Sequence, residues 1–302
     1  MTTTSTLPPT PGAPAAPGRY RRDLSLFLGI AFLASWLAWG IAMWAGGKST
    51  EAPANLPYTL GAFGPLIAAL VIRILRRRRG EAVPTHVVRF RRTHLLRAPV
   101  LMVLGSATVV AAAFIGHAAG DPALSLDSMR DMTAEMGGPA VFLVSMIASG
   151  PLSEEAGWRG TAYPRLRATM GPFRVGLLLG VVWAVWHLPL FFIDGTPQHD
   201  LGLATPSGVL FAVNNIPMAM LVACAYDRAG IVASMGMHFA VNLTMVSLGI
   251  TSPRTQAMMI GIQTIAVVLI LAAGRRAARA EEASPLPTAP AAAPRPEDAA
   301  RL

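Results

Sequence analysis

Eight stretches of the chain carry no Asp, Glu, Lys or Arg: residues 24–47, 52–72, 98–120, 136–153, 175–193, 201–226, 229–253 and 255–274. A membrane-spanning helix needs about 20 apolar residues. The pattern therefore predicts an all-α, polytopic membrane protein with about eight transmembrane helices. The fourth run is the shortest, and its helix is expected to continue past a charged cluster toward Leu166. Gly64-Pro65, Gly150-Pro151 and Ile216-Pro217 fall inside runs. Such residues are tolerated in a membrane helix where neighbours satisfy the freed carbonyls. Composition agrees with the pattern: 53% of residues are hydrophobic and 14% are charged, against about 25% charged in soluble domains.

The charges between the runs set the orientation. Nine arginines lie between Arg73 and Arg97, and Arg165, Arg167, Arg174, Arg228, Arg275, Arg276 and Arg279 fall in loops or ends on the same side when eight helices alternate. The opposite side holds Lys48, Arg130 and Arg254 with most of the loop acids. The positive-inside rule then places both termini in the cytoplasm. A formal net charge of +9, spread between apolar runs, fits loops held by anionic lipid and gives no nucleic-acid partner. The single cysteine, Cys224, excludes an intrachain disulfide and a cysteine metal cluster. Residues 1–22 and 275–302, rich in Pro, Ala, Thr and Arg, are expected as disordered tails around a membrane domain over 23–274. The basic residues before the first run could mark a signal peptide. The run's length and its Trp36, Trp39 and Trp44 favour an uncleaved first helix.

Charges and imidazoles inside the runs are the candidate chemistry, because an ionisable group within a membrane is costly and usually functional. Glu154, Glu155 and Arg159 end the fourth run. Glu155 and Arg159 are four apart and can pair, while Glu154 lies about 100° round the helix and points elsewhere. His187 follows Trp183 by four in the fifth run, and Pro189 invites a break just beyond. His238 and Asn242, four apart in the seventh run, share a face. Counted from the cytoplasmic ends, Glu154, His187, His238 and Asn242 all lie ~12–23 Å deep, so they can meet in one cavity. A buried carboxylate, two imidazoles and an amide make a hydrolytic set: a general base, a group to orient water and a donor to an oxyanion. Equally, Glu154, His187 and His238 could hold a catalytic zinc. The His-Glu-x-x-His helix of soluble zinc proteases is absent.

In order and spacing these three clusters resemble the signature of the CAAX protease and bacteriocin-processing (CPBP or Abi) family, which includes the Ras-converting type of prenyl-protein endopeptidase. Its pattern is Glu-Glu-x-x-x-Arg, Phe-x-x-x-His and His-x-x-x-Asn. Glu154, Glu155 and Arg159 match the first element, His187 the second and His238 with Asn242 the third. Trp183 stands where the family usually has Phe, an aromatic-for-aromatic change that bears on packing more than on chemistry. The resemblance covers residues 139–250. It implies an intramembrane endopeptidase acting on a membrane-associated peptide or protein. Glu154 would be the general base, assisted by His187; His238 and Asn242 would position water and stabilise the oxyanion; Glu155 and Arg159 would hold the site together. Family members are described both as metalloproteases and as glutamate-dependent enzymes, so the resemblance leaves zinc and no metal both open. The Ala- and Arg-rich composition looks bacterial, which places the protein in a plasma membrane. Two other classes share these features: a non-catalytic immunity or interaction protein of the same fold, and a proton-coupled transporter. A transporter of many known kinds would carry an inverted repeat, and none is evident.

Overall fold

The computed structural model describes residues 17–282, and every regular element among them is helical. The helices are α1 (Pro17–Ala45), α2 (Asn55–Gly61), α3 (Gly64–Arg78), α4 (Thr93–Ala118), α5 (Asp127–Glu135), α6 (Pro139–Arg167), α7 (Pro172–Trp186), α8 (Pro197–Leu201), α9 (Pro206–Ser247) and α10 (Pro253–Glu282). Five of them, α1, α4, α7, α9 and α10, are long and apolar enough to cross a membrane. The pairs α2–α3 and α5–α6, bent by 46° and 93°, raise the number to seven. The polarity is that of a soluble protein turned inside out. Val100 and Val103 of α4 are 68% and 69% exposed, while Thr108 of the same helix is buried and accepts a hydrogen bond from Gln263 Nε2 at 3.3 Å. Small hydrogen-bonding residues between helices and apolar ones facing outward are what a lipid solvent selects.

The eight expected runs and the seven observed candidates differ at one place. Runs 201–226 and 229–253 fall largely within α9, one helical stretch of 42 residues. It is not straight. Ala229 and Gly230 leave helical geometry, Gly230 at φ 71° and ψ −163°, a conformation that glycine adopts without a Cβ penalty. A straight helix of this length would hold its ends about 60 Å apart, yet Ser207 Oγ donates to the Thr251 carbonyl at 2.8 Å. The stretch therefore doubles back, with a first limb to Arg228 packed along α7 and a second limb packed along α4. Contact on α7 is at backbone distance: a Cβ on Gly180 would stand 2.6 Å from Ile216 Cα.

Helix α6 runs without interruption from Pro139 to Arg167, as the sequence predicts, but it is not a uniform α-helix. It widens into π-helical turns at Ala148–Leu152 and Trp158–Ala162. Pro151 in the first has no N–H to give, and π turns inside α-helices recur at functional sites. Side chains take up the displaced carbonyls: Ser153 Oγ donates to Gly150 O at 3.2 Å and Thr161 Oγ1 to Ala156 O at 3.1 Å. Gly157 lies against α3 so closely that a Cβ there would be 2.6 Å from the Pro65 carbonyl oxygen.

The two expected tails are shorter than composition suggests. α1 begins at Pro17, so residues 17–22 are helical, and Arg19 pairs with Glu81 at 2.7 Å. α10 continues through residues 275–282. Arg and Ala are good helix formers and prolong a helix that a membrane span has already nucleated. The remainder of both tails, residues 1–16 and 283–302, lies outside the described residues. Residues 268–282, the described part of a second unit, are helical.

Candidate active site

Three elements supply the residues singled out by the sequence: α6, α7 with its C-terminal cap His187, and the second limb of α9. Glu154, His187, His238 and Asn242 all line one cavity of about 230 Å³, large enough to admit water. Glu154, His187 and His238 are each less than 9% exposed.

Glu154 leaves α6 just after the first π turn. Its Oε2 accepts from the Trp183 indole Nε1 at 2.5 Å, which fixes the carboxylate and leaves Oε1 facing the cavity. Glu154 Oε1, His238 Nε2 and Asn242 Nδ2 all lie within 3.9 Å of the point a Cβ on Gly150 would occupy. Because residue 150 has no side chain, that point stays open.

Each imidazole is held from behind. His187 Nδ1 lies 2.9 Å from the Trp183 carbonyl oxygen, which can only accept, so Nδ1 carries the proton and Nε2 is bare. His238 Nδ1 lies 2.9 Å from Glu155 Oε1, and a carboxylate partner likewise assigns Nδ1–H and turns Nε2 to the cavity. The ring of Trp183 sits between the two, its centroid 5.5 Å from that of His187 and 5.1 Å from that of His238. Trp183 meets His187 in a tilted contact, their planes 51° apart. The α-helix ends at Trp186, and a tighter 3-10 turn over Leu188–Phe192 comes at the expected break by Pro189.

Behind the cavity, Glu155 is the hub of a buried polar network. It accepts from Arg159 NH1 at 2.9 Å, from His238 and, at short range, from Ser234 Oγ. Arg159 and Glu155 are 1% and 0% exposed, and Arg159 NH2 also reaches the Ala219 carbonyl at 3.2 Å. The predicted i,i+4 pair is thus present, and it also clamps both limbs of α9 to α6.

Bare imidazole nitrogens and a carboxylate are chemically suitable zinc donors. The donor set expected for zinc, Glu154 with His187 and His238, is nevertheless not assembled: among the described residues no group of three or more His, Cys, Asp or Glu side chains is arranged to hold a metal ion. Glu154 directs one oxygen to an indole instead.

Gly150, Asn214 and Asn215 are among the cavity residues that were not anticipated from the sequence. The two asparagines were legible as polar residues in the middle of the apolar run 201–226. Gly150 carried no such signal.

The described residues thus form an all-helical protein with five to seven candidate membrane spans, and a carboxylate, two imidazoles and an amide line one of its cavities. Comparison with known proteins narrows this. Residues 136–244 match the family described as Type II CAAX prenyl endopeptidase Rce1-like. A stretch of 63 residues is 35% identical to CAAX prenyl protease 2 of Methanococcus maripaludis, covering 21% of this chain and 22% of that protein. The chain thus matches about a fifth of that relative's length. Over this region the chain is similar to the CAAX prenyl endopeptidases. The matched region contains all seven residues of the three clusters.

Proposed function

We propose that the protein is an intramembrane endopeptidase that hydrolyses a peptide bond in a membrane-associated peptide or protein. One observation carries this reading: Glu154 Oε1, His238 Nε2 and Asn242 Nδ2 converge on the open space beside Gly150. A water there has two hydrogens to give and meets two acceptors, Glu154 Oε1 and His238 Nε2. Glu154 takes one proton as the water oxygen attacks the peptide carbonyl carbon. The carbonyl oxygen becomes an oxyanion, and Asn242 Nδ2–H donates to it, at a place where preorganised donors contribute most. The C–N bond then breaks, and the proton on Glu154 passes to the leaving nitrogen. His187, its bare Nε2 on the cavity wall, assists the proton's movement. Glu155 and Arg159 act from behind by holding His238.

The family relationship supports the same chemistry, since the matched relative is named a CAAX prenyl protease. Counting the doubled-back α9 as two crossings and each bent pair as one gives eight spans with both termini on one side; the arginine distribution makes that side the cytoplasm, and the Ala- and Arg-rich composition fits a bacterial plasma membrane. The test is cleavage of internally quenched apolar peptides, prenylated and unprenylated, by the full chain in lipid nanodiscs. Glu154→Gln should lower turnover by ~10²–10⁴-fold with an unchanged melting temperature. A Glu154→Gln variant that cuts at the wild-type rate would refute the reading.

A further inference from the structure

The first limb of α9 turns one face to the cavity, carrying Phe211, Asn214, Asn215 and Met218, the spacing of neighbours on one side of a helix. The two asparagines are not alike. Asn215 returns its Nδ2 to the Phe211 carbonyl of its own helix at 3.0 Å. Asn214, 6% exposed, makes no side-chain hydrogen bond to the described residues, and its buried Oδ1 has no partner. A buried polar atom without a partner is destabilising. In membrane helices an asparagine normally avoids this by bonding a neighbouring helix, and Asn214 does not. Its amide is held toward the same cavity as Glu154 and His238, from the limb opposite the one that carries His238 and Asn242.

We propose that Asn214 anchors the main chain of the substrate. The side chain carries one acceptor and two donors on a planar carboxamide, the complement of a peptide group's N–H and C=O. One peptide group can therefore bond Oδ1 with its N–H and Nδ2 with its carbonyl. Phe211 and Met218, one turn to either side, offer apolar surface to the flanking side chains. The consequence is a substrate class. Within a helix both peptide groups are already paired internally, so a helical membrane segment has nothing to give Asn214. The site takes an extended or unwound apolar segment, read by its backbone and tolerant of side-chain identity.

The position of this anchor beside the scissile bond rests on the endopeptidase reading, but the binding itself does not. Asn214→Leu keeps roughly the volume and removes donor and acceptor together. The full chain in nanodiscs, carrying Glu154→Gln to prevent turnover, is titrated with a ten-residue apolar peptide interrupted by Gly-Pro. Binding is read from quenching of Trp39, Trp183 and Trp186, which line the cavity. Asn214→Leu should weaken binding tenfold or more and leave the melting temperature unchanged or higher. A helix-locked peptide of the same composition should bind at least tenfold more weakly than the interrupted one. Unaltered binding, equal binding of the helix-locked peptide, or a lower melting temperature in Asn214→Leu would overturn the proposal, as would a chain that binds neither peptide. Peptide that binds through Asn214 yet is never cut by the wild-type chain would sink the endopeptidase reading alone.

Discussion

Trp183→Phe is the most discriminating single change at this site. Trp183 is buried, and its indole nitrogen is the one side-chain donor to Glu154 among the described hydrogen bonds, at 2.5 Å. Its carbonyl holds His187 Nδ1 at 2.9 Å, and the Arg159 guanidinium carbon lies 4.8 Å from its ring centroid. Phenylalanine keeps the backbone carbonyl and an aromatic face for Arg159 and both imidazoles. It deletes the indole donor and leaves Glu154 Oε2 without a partner, so the carboxylate can turn away from the water site. A hydrogen bond to a charged group has a net value of about 1.5–3 kcal/mol. If that orientation is needed only as the proton transfers, the whole loss falls on the barrier, a factor of about 10–150 in kcat. Steady-state cleavage of a quenched peptide in nanodiscs gives both constants. The expected split is a kcat lower by that factor with KM within about threefold, because the indole bonds the base and not the substrate. A kcat within twofold of wild type would show that Trp183 only packs. The family's usual residue here is Phe, so the result also decides whether this chain depends on an added bond.

Gly150→Ala puts a methyl 3.7–3.9 Å from Asn242 Nδ2, Glu154 Oε1 and His238 Nε2, ordinary contact distances. Circular dichroism and melting should therefore be unchanged while cleavage falls at least ~100-fold, since the methyl takes the place of the attacking water and removes what a positioned base contributes. Arg159→Ala leaves Glu155 as a buried charge with one cationic partner fewer; a loss of ~3–5 kcal/mol of stability is expected, measured by unfolding in mixed micelles, and a loss under ~1 kcal/mol would refute the network's role. Outside the membrane spans, Asp121 accepts from Thr255 Oγ1 at 2.6 Å and Ser252 Oγ at 2.7 Å and faces Arg254. The Thr255 hydroxyl first, then Ser252, holds its carboxyl below the usual aspartate value. A depressed folded pKa means the stabilisation is complete above the unfolded value, about pH 4, and is lost as pH falls through the folded one. The melting temperature should drop in that acidic window, and Asp121→Asn should lack that part of the drop.

The sequence by itself determined the class of the protein and its chemistry-bearing residues. Apolar runs of spanning length can only be helices in lipid, because every backbone group must be satisfied within the segment. Charged or imidazole side chains inside them announce themselves by their cost, and the Glu155–Arg159 pair comes from helical spacing alone. Tertiary structure decided what these residues face. The π turn at Ala148–Leu152 inserts a residue and rotates the helix beyond it by about 100°, so a count from the start of the run does not give the direction in which Glu154 and Glu155 point. The Trp183–Glu154 bond spans 29 residues and the His238–Glu155 bond 83. Both depend on helix rotation and depth, which close contacts such as Gly157 on Pro65 and Gly180 on Ile216 establish. A turn between runs 201–226 and 229–253 was legible from Asp227 and Arg228; that the reversal at Gly230 brings Asn214 and His238 to opposite walls of one cavity is a packing outcome.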